Sequence, residues 1–63
     1  MKLLVENARR AAEVAKEEIA KVKARFAFGD SGFDIADDAY LGAGWTAQRL
    51  KDLEAIISQP PDA

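Results

Sequence analysis

Between Lys2 and Phe28 the chain has no Gly or Pro, and its apolar residues recur at a helical period. Val5, Ala8, Ala12, Ala15, Ile19, Val22 and Phe26 are spaced three and four positions apart in strict alternation, the pattern of a heptad seam along one helix face. Leu4 and Ala11 widen that seam on one flank. Between them lie Ala, Glu, Lys and Arg, all strong helix formers. Glu6 with Arg10, and Glu17 with Lys21, are acid-before-base pairs four positions apart, the favourable order on an exposed helix. The pattern predicts one long helix from about Lys2 to Phe28, with Gly29 as its C-terminal cap.

The pattern changes from Gly29 to Trp45. All four glycines fall here, with Asp30, Asp34, Asp37 and Asp38 and no basic residue. A connecting segment is expected, holding a short helix from Asp34, its capping residue, to Leu41, where Ala36, Tyr40 and Leu41 share a face. Gly42 and Gly44 are expected to end it. Helical spacing then returns at Leu50, Leu53, Ile56 and Ile57. Thr46 reads as the N-cap of this last helix, with Trp45 and Leu50 placed as a hydrophobic staple. Pro60 and Pro61 stop it near Ser58 or Gln59. The expected fold is all-α: a long N-terminal helix and a shorter C-terminal helix in an antiparallel hairpin, with a short middle helix. Residues 1–59 form the domain and residues 60–63 a short tail.

The two long elements do not match in length. A helix of about 27 residues is roughly 40 Å long, and a partner of about 14 residues covers some 21 Å. The short helix can reach Ile19, Val22 and Phe26 but leaves Leu4, Val5, Ala8, Ala12 and Ala15 uncovered. Alanines permit close helix approach, and Leu3, Leu4 and Val5 add an apolar cluster beside them. These residues are therefore the expected interface of a homodimer or larger assembly. Size points the same way, because a single domain of 63 residues buries a small fraction of its surface alone.

Charge divides the chain further. Residues 1–28 carry seven basic and four acidic side chains, whereas residues 29–45 carry four acidic and none basic. A basic helix and an acidic segment can attract across a dimer, an effect that salt weakens. The whole chain is acidic, at −2. The basic residues Arg9, Arg10, Lys16, Lys23 and Arg25 are interleaved with Glu6, Glu13, Glu17 and Glu18, and no aromatic residue lies among them for base stacking. This argues against nucleic acid as a partner.

Composition narrows the chemistry. There is no histidine and no cysteine, which removes disulfides, the common transition-metal ligands and the usual nucleophile and base arrangements. A catalyst here would have to work with carboxylates, lysine or Tyr40, so a non-catalytic protein without a cofactor is expected. The four aspartates fail the spacing of a calcium loop: counting from Asp30, its first, third, fifth, sixth and twelfth positions are Asp30, Gly32, Asp34, Ile35 and Leu41. No metal site is expected.

The apolar opening at Leu3 to Val5 stops at Glu6, short of the about 7–15 residues of a signal peptide core. No stretch approaches the roughly 20 apolar residues of a membrane span, so a cytoplasmic protein is expected. Phe28, Phe33, Tyr40 and Trp45 lie in or beside the Gly-rich segment and are the candidate contacts for a partner or ligand. The expected function is that of a protein-binding module, an inhibitor or adaptor that occupies a partner surface. The alternative is a small anionic ligand, nucleotide-like, held between subunits at helix N-termini near Gly42 to Thr46.

Overall fold

The computed structural model describes residues 1–58, and within them the chain is all-helical: α1 (Lys2–Lys23) and α2 (Ser31–Ile57) pack along their length as a hairpin. The expected tail at residues 60–63 lies outside the described residues. Three pairings fix an antiparallel register. Arg9 meets Glu54, the Lys16 stem lies against Gly44, and Lys23 meets Asp37.

The first helix forms as its composition dictates but ends early. Its C-cap is Ala24, and Arg25 N–H and Phe26 N–H donate to the Val22 and Lys23 carbonyls in a tightened last turn. Lys21 and Lys23 sit in the final turn, where cations oppose the negative end of the helix dipole. Gly29 has φ +97°, a conformation L side chains rarely adopt, and it turns the chain between Ala27 and Asp30. Asp30, not Asp34, is the N-cap of α2, and its carbonyl accepts from Asp34 N–H.

The second helix corrects the expected middle of the fold. There is no separate middle helix and no break at Gly42 or Gly44: both lie inside a single helix of 27 residues. Thr46 is not an N-cap but an interior residue whose hydroxyl donates to the Gly42 carbonyl at 2.9 Å. Trp45 is no staple, because no helix starts beside it, and the residue is 68% exposed. An interior glycine costs about 1 kcal/mol relative to alanine. That penalty is local, whereas extending an existing helix adds a hydrogen bond for every residue fixed. Packing against α1 holds the segment, since the stem of Lys16 lies 3.6 Å from where a Gly44 Cβ would stand.

Because α2 is the longer helix, it covers α1 from end to end, and the length mismatch expected from the sequence disappears. Val5 is buried and Ala12 half-buried within the hairpin. The intrachain seam on α1 runs Val5, Arg9, Ala12, Lys16, Ile19, Lys23, which is a heptad pattern displaced around the helix from the apolar one. Opposite it lie Phe33, Ala36, Tyr40, Ala43, Ala47, Leu50, Glu54 and Ile57.

Long basic side chains take the place of apolar ones at this seam, laying their stems along the partner helix. The Arg9 guanidinium donates through Nε to both Glu54 oxygens at 2.9 Å and also meets Glu13. Hydrogen bonding to Glu54, then its charge and that of Glu13, hold the Arg9 pKa above its ordinary value. Lys23 donates to Asp37 at 2.7 Å and stands 4.9 Å from the Tyr40 ring centre.

Candidate interaction face

The displacement of the two seams leaves one side of the hairpin without charge. On α1, Leu4, Ala8, Ala11, Ala15 and Val22 are exposed, and Ile19 is half-buried beside them. On α2, Ile35, Ala39, Gly42, Thr46, Leu50, Leu53 and Ile57 follow each other at helical spacing on the same side. The two stripes meet in a groove of about 400 Å³ near the turn, lined by Ile19, Val22, Phe26, Gly32, Ile35, Ala36 and Ala39. The edge of the Phe26 ring lies 2.5 Å from where a Gly32 Cβ would stand, so a larger residue there would displace the ring. Leu4 and Ile35, at opposite ends of the face, are each about seven-tenths exposed.

The other side is polar. A shallow depression of about 530 Å³ is bordered by Glu13, Lys16, Glu17, Ala20 and Tyr40. The Lys16 ammonium lies 5.2 Å from the Tyr40 ring centre, and the Lys23 ammonium 5.3 Å from that of Phe33.

The sequence-derived candidates divide between these surroundings. Leu4, Ala8 and Ala15 are exposed on the uncharged face, whereas Val5 and Ala12 face into the hairpin. Among the aromatic residues, Phe28 is 90% exposed in the turn, packed edge-on against Phe33 at 5.3 Å between ring centres. Tyr40 and Phe33 are half-buried beneath the lysines. Trp45 stands apart on the outer side of α2 with Leu41. The structure does not bring these four together.

Gly42 to Thr46 lies inside α2, so the helix N-terminus on which an anion site there depended is absent. Asp37 is engaged by Lys23, and among the described residues no cluster of three acidic side chains could hold a metal ion. No described helix is long and apolar enough to cross a membrane.

Ile35, Ala39, Gly42 and Thr46 are the part of the face that the sequence reading missed. Their spacing carries the signal once Gly42 is allowed inside a helix. No family model, no curated protein and no solved structure matches this chain.

Proposed function

We propose that this protein is a non-catalytic helix-pairing module, an inhibitor or adaptor that acts by laying the uncharged face of its hairpin against other helices. The missing core carries this reading. Hydrophobic residues make up 49% of the chain, yet among the described residues only Val5 and Ala36 are buried, and no large side chain is fully enclosed. Ordering each residue costs roughly 1–2 kcal/mol of conformational entropy, which apolar burial has to offset. A two-helix layer cannot enclose its own side chains from both sides. One face is nevertheless free of charge and the ion pairs between the helices lie away from it, although Trp45 and Leu41 are exposed on the outer side of α2. Such a face gains its burial in an assembly, whether with a second copy or with a target protein.

Site-specific photo-crosslinking in the native host tests the reading. A photoreactive residue at Ala15 should give protein adducts, and one at Glu17, on the outer side of α1, should give few. Equal yields from the two positions, or none from Ala15, would sink the proposal. Adducts to this chain and adducts to another protein both satisfy it.

A further inference from the structure

We infer that the occupant of the uncharged face is a second copy of this chain, related by a two-fold axis running along the hairpin. Each α1 then lies on the partner's α2, and both turns sit at the same end of a four-helix bundle. This rests on the helix-pairing reading above and names its partner.

The face is built to meet itself. The register set by Arg9 with Glu54, Lys16 with Gly44 and Lys23 with Asp37 places small residues level with large ones over the middle of the face, with Leu4 level with Ile57 and Phe26 level with Ile35 at its two ends. Ala8 lies level with Leu53, Ala11 with Leu50, Ile19 with Gly42 and Val22 with Ala39. A copy turned about a two-fold axis in the plane of the face sets large side chains over small ones, the condition for interdigitated packing. Ala15 and Thr46 form a narrow waist between the two bulkier ends. Because the face carries no charge, meeting its own image creates no like-charge pair at the centre.

Size complementarity permits two axes, and charge selects between them. An axis across the hairpin stacks α1 on α1 and α2 on α2. α1 carries six basic and four acidic side chains, and α2 carries two basic and five acidic ones, so that arrangement opposes like charges twice. An axis along the hairpin sets each basic helix beside an acidic one. It also brings Arg25, which makes no ion pair among the described residues, beside the edge of the partner's α2 that bears Asp38.

Light scattering on the full chain after size exclusion is the test, at high protein concentration and low salt. The expected mass is twice the 6.8 kDa of one chain. Ala15→Glu should return it to that of a single chain with helix content by circular dichroism retained, and Ala20→Glu, on the polar side, should leave the dimer intact. Ala15 serves better than Ala12, which is half-buried inside the hairpin. Leu53→Gln repeats the measurement from the other helix should Ala15→Glu lose its fold.

For the axis, single-cysteine variants are mixed under oxidising conditions. Ala15→Cys with Thr46→Cys should link as a mixed dimer, and Ala15→Cys alone should not. A monomeric wild type, or a dimer that survives both face substitutions, overturns the second-copy assignment. Helix pairing would still stand if Ala15 crosslinks to another protein. Efficient self-linking of Ala15→Cys overturns the axis along the hairpin.

Discussion

The two broad faces of the hairpin share the same helices and differ in what holds them. On the polar face, Arg9 with Glu54 and Lys23 with Asp37 lock the register, and lysine stems roof Tyr40 and Phe33. On that face Arg9 and Lys23 are ion-paired across the hairpin, the Lys16 ammonium stands over the Tyr40 ring, and no buried polar side-chain atom among the described residues lacks a hydrogen bond. The uncharged face has the apolar residues of a core and nothing over them. Ionic pairs fix which helix lies beside which, and they contribute little net stability at partly exposed positions.

The strongest way to break this contrast is to damage the strip that both faces share. Ala36 is 7% exposed at the turn end of the hairpin seam. Ala36→Asp buries an unpaired carboxylate and should unfold the chain, seen as loss of the cooperative thermal transition by circular dichroism. Retained folding would mean that the hairpin seam is not where its stability resides.

Two glycines give a smaller and opposed pair of effects. Gly29→Ala forces an L side chain to φ +97° in the turn and should lower stability by about 1 kcal/mol in urea unfolding. Gly42→Ala meets nothing within 4 Å in the isolated hairpin, so a monomeric background such as Ala15→Glu should gain about 0.5–1 kcal/mol from helix propensity. In the wild-type background part of that gain should vanish, because Gly42 lies on the uncharged face where a partner packs. An equal gain in both backgrounds would place Gly42 outside the interface.

The smallest effect concerns the solvent-exposed ion pairs. The hydrogen bond from Lys21 to Glu18, followed by the charge of Glu18, raises the Lys21 pKa above the ordinary lysine value. A group whose pKa is raised by folding stabilises the fold below its unfolded value, and that contribution is lost as pH rises through the folded one. The difference in melting temperature between wild type and Lys21→Gln should be slight near neutrality and should shrink further above pH 10.5, the ordinary lysine value. A difference that grew with alkalinity would contradict the sign.

Much of the fold is legible in the residues alone. Composition and period give α1 and its heptad, and Gly29 marks the turn, although the helix itself stops at Lys23. Two readings failed for one reason. Glycine at positions 42 and 44 reads locally as a helix breaker, which shortens the expected second helix and puts a cap at Thr46. Its length was set by packing instead, with Gly44 beneath Lys16 and the polar residues Tyr40 and Glu54 facing α1.

The sequence by itself determined that the chain is helical, that one stripe of α1 is free of charge, and that His and Cys chemistry is unavailable. Those properties follow from local propensity, period and residue identity, which need no neighbour. Only the tertiary structure decided which stripe faces inward. Arg9, Lys16 and Lys23 lie at the hairpin seam because their stems cover α2 while their charged ends find Glu54, Asp37 and the Tyr40 ring. The alanine stripe is left outside because alanine buries too little area to compete for that position.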